Sequence, residues 1–404
     1  MDLSTLRDTF NVDSYDKVPE YEIVQLQRLS KTNSNGKEEE SINFFAFGRN
    51  ISLKLQEDKE LNDRICHVKM YVMNGTEIEE ILIEDNDTLI AYQDLEQEAG
   101  FTILYKESGY MEMEGTVGNL IITPVPTDIE IHADDFNKQY EALFWDAKQY
   151  FIAAHLVIKN QMSQRNLNFD IINPQRQARS TIGSASRRRS KRHASVVYPE
   201  ILLVVDYDSY ESFGYNDKRV VSYYSSLLIS IDARFRELTN PRVQISLSSI
   251  LIAKRRDMIP FVEHNRLDSN QNMIDGIKTL IDFYTYLYHS RQYIRPYDIA
   301  LIMTKYNLCS RPSWTGCMSQ VSGLANVGAA CQIDNLGIVQ DTGGPRGVSV
   351  AAHEIGHLLG ANHDGEGEAF HCRGKTGFVM DAIINGPEMH WSKCSKHQIS
   401  RFLK

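Results

Sequence analysis

No apolar run in this 404-residue chain approaches the roughly eighteen residues that a helix needs to cross a bilayer. No membrane span is therefore expected. The first thirty residues are polar and charged and hold no apolar core of an export signal, so the expectation is an N-terminus that is incomplete as given. Cysteine is scarce: of six, only Cys66 stands in the first half. Excess basic charge is missing from residues 193–404, which carry 21 acidic and 21 basic side chains. That balance gives no reason to expect nucleic acid as a partner.

Charge is present elsewhere, unevenly. Residues 1–150 hold 31 acidic and 13 basic side chains, and residues 151–192 hold 1 and 9. The length allows two domains, each with its own core. Residues 1–40 read as a loose polar lead-in. From Ile42 the text I-N-F-F-A-F-G-R-N-I-S-L-K-L alternates as half-buried strands do, and similar runs at 67–72, 80–83, 89–92, 101–105 and 120–124 predict a β-rich domain over 1–159. It contains no cluster with catalytic spacing. Residues 160–192 read as a linker, Arg- and Ser-rich and without apolar periodicity. There Arg189-Ser190-Lys191-Arg192 fits the R-x-K-R pattern cut by furin-like convertases, with His193 starting the product; a nuclear-localisation or heparin-binding run is the other reading.

Residues 193–404 alternate strand and helix. Apolar runs at 200–206, 243–252 and 298–304 predict buried strands, and helical spacing predicts helices over 217–238 and 273–288. A mixed sheet flanked by helices follows. The remaining cysteines, Cys309, Cys317, Cys331, Cys372 and Cys394, are not needed as metal ligands if histidines hold the metal, so disulfides are expected. The sequons at Asn50, Asn74 and Asn86 favour the secretory pathway.

The chemistry concentrates in V-A-A-H-E-I-G-H-L-L-G-A-N-H-D, residues 350–364. His353 and His357, four apart on a helix, share one face and can hold one zinc ion. Glu354 lies beside the metal but is turned away from it, where a general base for zinc-activated water must sit. Gly360 can end the helix so that His363 swings back as third ligand. Three protein ligands leave a coordination position open, the mark of a catalytic site. With Gly360 and His363 at their spacings, chance accounts for roughly one such chain in ten thousand.

H-E-x-x-H-x-x-G-x-x-H followed by Asp364 resembles the metzincin metalloproteases of the reprolysin or adamalysin type, the group of ADAM proteases and venom metalloproteinases. The resemblance implies an α/β (α+β) protease domain over 193–404, with a mixed, mostly parallel sheet, a zinc helix and a small C-terminal subdomain. It implies a β-rich propeptide before it, which the text from Phe44 to Leu55 also resembles. Met380, in F-V-M-D, matches the Met-turn beneath the metal. Gly323, Leu324 and Ala325 match the edge strand that carries substrate, and residues 383–390 the wall of a substrate pocket. Pairing Cys309 with Cys317 and Cys372 with Cys394 is implied, leaving Cys331 free, or joined to Cys66 or to another chain. Glu200 and Asp298 match acids of a calcium site.

The implied protein is a secreted, monomeric zinc endopeptidase, in venom or elsewhere, made as a zymogen and processed by a furin-like convertase. The alternative is a non-catalytic binding protein or toxin on the same fold, and an exopeptidase is a third reading. One departure is that residues 160–192 lack the cysteine that usually caps the zinc. Cys66, Asp170 or steric occlusion would have to serve, and occlusion is the expectation.

Overall fold

A computed structural model describes the chain except residues 1–14, 33–37, 57–58, 67–68, 75–76, 82–86, 126–150, 153, 160–166, 173–194, 269–271, 311, 314–315, 318–319, 342–343, 374–376 and 385–389. In the N-terminal half, β1 (Tyr21–Gln25) and β2 (Gln27–Thr32) already lie within the stretch expected to be a loose lead-in. They are followed by β3 (Glu38–Ala46) and β4 (Arg49–Lys54), a short helix α1 (Lys59–Cys66), and the hairpin β5 (Lys69–Asn74) and β6 (Glu77–Ile81). Next come β7 (Thr88–Asp94), β8 (Ala99–Tyr105), β9 (Tyr110–Val117), β10 (Leu120–Pro124) and β11 (Ala154–Lys159). The main sheet here runs β1-β11-β10-β9-β8-β7 and packs with β2-β3-β4 around Ile42, Phe44, Leu53, Phe101 and Ile122. The alternation in the sequence is that of strands with one face in this core.

The segment expected to be a linker contains a strand, β12 (Leu167–Ile172). The C-terminal half then supplies β13 (Glu200–Val205), the long helix α2 (Asp217–Phe235), β14 (Ser246–Ile252), α3 (Gly276–Ser290), β15 (Ile299–Thr304), β16 (Gly323–Asn326), β17 (Leu336–Gln340), α4 (Gly344–Leu358), β18 (Ile383–Ile384) and α5 (Lys393–Phe402). Residues 273–275, expected as the first turn of a helix, are instead a short strand whose last residue, Asp275, caps α3 by accepting from Lys278 N–H.

One sheet gathers nine strands in the order β18-β12-β16-β17-β15-β13-β14-β5-β6. Five of its eight junctions are parallel, so it is mixed and mostly parallel. Its central strands are buried on both faces, as their unbroken apolar runs require. Helices α2 and α4 cover one face through Leu227, Ile231, Ile355 and Leu358, and α3 covers the other through Leu280, Phe283 and Leu287.

Two of the nine strands, β5 and β6, come from the N-terminal half, and so does β12. The sheet therefore ignores the sequence boundary at residue 160. β16 was expected as an open edge. Its outer side is in fact taken by β12, in parallel register from Phe169 opposite Gly323 to Ile172 opposite Asn326. An edge presents unpaired N–H and C=O groups, and the chain's own segment satisfies them.

Candidate metal centre

Helix α4 ends in a turn set by Gly360, whose φ of +94° suits glycine. Gly360 N–H donates to the His357 carbonyl at 2.8 Å and Ala361 N–H reaches back to that of Gly356 at 2.9 Å, the paired bonds of a Schellman end. The reversal carries His363 over the helix. The Nε2 atom of His363 then lies 3.2 Å from that of His357 and 3.2 Å from that of His353.

Two of the remaining ring nitrogens are committed elsewhere. His353 Nδ1–H donates to the Val379 carbonyl at 2.5 Å and His357 Nδ1–H to that of Ala361 at 2.8 Å. These bonds fix a tautomer that leaves the Nε2 lone pairs of His353 and His357 turned to one point. Three nitrogens held by one tetrahedral zinc at about 2.0–2.1 Å would stand about 3.3 Å apart. The trio fits that ion. All three rings are buried. Burial and the neighbouring imidazoles push the His353 pKa well below its ordinary value, and the same causes lower His357 to about 3, so these rings are neutral donors.

Glu354 lies one position on and is wholly buried, with neither carboxyl oxygen given a hydrogen-bond partner. Burial raises its pKa well above the usual carboxylate range. A partnerless buried carboxyl is costly, and a cation with its water beside it would relieve that cost. The space for it is made by Gly323. A Cβ at that position would stand 2.3 Å from Glu354 Oε1 and 2.8 Å from its Cγ. Beneath the helix lies Met380, fully buried, with Gly356 admitting its sulfur: a Cβ at 356 would come within 2.6 Å of it. Asp364 N–H donates to the Met380 carbonyl at 2.8 Å, and Asp364 Oδ1 accepts from Ser392 Oγ at 2.6 Å, tying the turn that carries His363 to the start of α5.

The structure joins Cys309 to Cys317 and Cys372 to Cys394, and leaves Cys331 as an exposed free thiol, so it is not bridged to Cys66. Asp298 Oδ2 accepts from Glu200 N–H at 3.0 Å and Asp298 Oδ1 from Cys331 Sγ at 3.2 Å. Among the described residues, Glu200 and Asp298 belong to no group of three metal-ligating side chains. Asn50 is exposed, whereas Asn86 and the basic residues Arg189, Lys191, Arg192 and His193 lie outside the described residues, as does most of the expected pocket wall after β18. Sequence reasoning named the three histidines that converge here but missed what seats them. The Val379 and Ala361 carbonyls have no sequence signal, while the glycines at 323 and 356 carry one that is legible only with coordinates.

Residues 221–364 match the description "Metallo-peptidase family M12B Reprolysin-like". Over 422 aligned residues the chain is 30% identical to "A disintegrin and metalloproteinase with thrombospondin motifs like" of Bombyx mori, spanning 90% of this chain and 60% of that protein. Residues 221–364 thus belong to the reprolysin-like metallopeptidases. These are metzincin zinc peptidases, and the match ends on Asp364, just past the third histidine. "Venom metalloproteinase 2" of Eulophus pennicornis is 26% identical over 52% of this chain and 50% of its own length. "A disintegrin and metalloproteinase with thrombospondin motifs 7" of Mus musculus is 28% identical over 50% of this chain and 12% of its own. This reprolysin-like chain thus spans between about an eighth and three fifths of the relatives it matches.

Proposed function

We propose that this chain is a secreted zinc-dependent endopeptidase made as a zymogen, with Glu354 as general base. The observation that carries the reading is the buried, partnerless Glu354 carboxyl beside three convergent imidazole nitrogens. Zinc held by His353, His357 and His363 would supply Lewis acidity, polarising a carbonyl and acidifying water. Glu354 accepts a proton from the attacking water and delivers it to the leaving amide nitrogen. Gly323 keeps that carboxyl in reach, and the main chain of β16 can hold an extended peptide as an added strand. No side chain becomes acylated.

Latency fits the placement of β12 on the outer edge of β16, where such a peptide would lie. In this reading residues 1–159 are the propeptide, 160–192 the segment cut by a furin-like convertase after Arg192, and 193–404 the protease. Secretion is supported by the two disulfides, by the exposed sequon at Asn50 and by relatives named as venom proteins.

The test is hydrolysis of an unbiased quenched-peptide library by the chain cleaved after Arg192. Chelation should abolish turnover, and Glu354→Ala should lower it by about 10²–10⁴-fold while zinc content stays near one ion per chain. A folded, zinc-loaded, cleaved protein that hydrolyses nothing would overturn the proposal in favour of a binding role.

A further inference from the structure

Among the described residues the N-terminal half is attached to the C-terminal half at three main places, and one of them is the cleft. The first is β12 on β16. The second is the far edge of the same sheet, where β5 pairs in parallel with β14 from Ser249 opposite Lys69 to Ile252 opposite Val72. Every residue of β14 is buried, and Tyr71 of β5 accepts from Arg295 N–H at 3.1 Å through its hydroxyl. The third is the outer face of α2, which lies against β7, β8 and β9.

That third contact is polar and close. Gln93 Nε2–H bonds reach Asp232 Oδ2 at 3.0 Å and the Ile229 carbonyl at 3.1 Å. Thr116 donates to Ser230 Oγ at 2.9 Å, which in turn donates to the Gly100 carbonyl at 3.0 Å, and the Thr102 and Ser222 hydroxyls stand 3.3 Å apart. A Cβ on Gly100 would lie 2.8 Å from the Ser230 backbone, so only glycine lets the strand come this near the helix. Buried polar groups satisfied across a boundary are costly to separate, because each would have to regain water or go unpaired. Departure of the N-terminal half would also bare the β14 edge.

We propose that cleavage between β12 and β13 leaves a stable two-chain assembly, in which the N-terminal half stays docked on α2 and β14 while β12 becomes free to leave the cleft. Before the cut, β12 is tethered at both ends; afterwards it is held to the docked half only through residues 160–166. Clearing the cleft then requires breaking only the β12 ladders with β16 and β18. The proposal takes the position of the cut from the zymogen reading, but docking itself does not depend on catalysis.

The experiment uses the full chain with a recognition sequence for a highly specific protease inserted between residues 180 and 181. After complete cutting, size-exclusion chromatography with native mass spectrometry at about 1 µM protein should show both fragments in one species with the uncut mass. Fragments that separate, with the C-terminal piece still folded and holding zinc, would overturn the proposal. Gln93→Ala with Thr116→Ala should weaken the assembly at least tenfold in dissociation constant. An unchanged constant would remove the α2 face from the argument and overturn docking there. Neither readout needs peptidase activity, so an inactive site would fail the functional reading and leave this one standing.

Discussion

Helices α2 and α4 run beneath the same sheet, and both bury polar side chains. On α2 the buried acid is answered: Asp232 accepts from Gln93, Arg236 and Ile245 N–H. On α4 the Glu354 carboxyl is answered by nothing among the described residues, and the histidine Nε2 atoms converge on one another. The same expense of burying polarity yields an interface in one helix and a reactive centre in the other. What separates them is completeness. A satisfied network fixes structure, whereas an open one waits for an ion and a substrate.

The contrast can be broken at Gly323. Gly323→Ala places a methyl group against the Glu354 carboxyl and should lower kcat about 100-fold, the scale expected for a misplacement of about 1 Å. KM and zinc content should stay near those of the parent, because neither the β16 main chain nor the ligands are altered. Steady-state kinetics beside metal analysis would decide, and undiminished kcat would show that the carboxyl has room elsewhere.

Stability should divide the helices in opposite senses. Asp232→Ala strands three donors and should cost about 1–3 kcal/mol in denaturant unfolding. Glu354→Ala in the metal-free protein removes a buried group with no partner and should be neutral or stabilising. Equal losses in the two variants would erase the distinction. A smaller effect concerns Glu114 on β9, whose pKa is pushed up to about 7 by burial, against the lowering influence of Arg219 and a hydrogen bond from Thr123. The folded state then binds this proton more tightly than the unfolded chain, so stability falls as pH rises from about 4.5 through about 7. Glu114→Gln should flatten that slope. Melting curves at pH 5 and pH 8 that keep the parent's difference would contradict it.

The convergence of His353, His357 and His363, the neighbouring Glu354 and the helix-ending Gly360 were legible because their spacing is local: turns of one helix and one reversal. The buried strands of the C-terminal half were legible for the same reason, as unbroken apolar runs. β12 was not. Its residues carry no strong pattern, and what makes them a strand is the bare edge of β16, about 150 residues later in the chain. The β5–β6 hairpin was read as strands, but nothing in its alternation names the sheet it joins. Backbone pairing across distant sequence leaves little trace in composition, so the tie between the two halves shows only in the folded chain.

The three histidines are also unequal in how they are held. His353 and His357 ride on a single helix, but His363 stands on a turn braced from outside. Phe402 packs against Gly360, Gln398 accepts from Asn362 N–H at 3.1 Å, and Ser392 holds Asp364. All three braces sit in or at the start of α5, which Cys394 staples to Cys372. The last dozen residues would thus act as a latch on coordination number: with α5 seated, three imidazoles stand ready for a metal, and a protein that let it swing away would grip a metal with two hands instead of three.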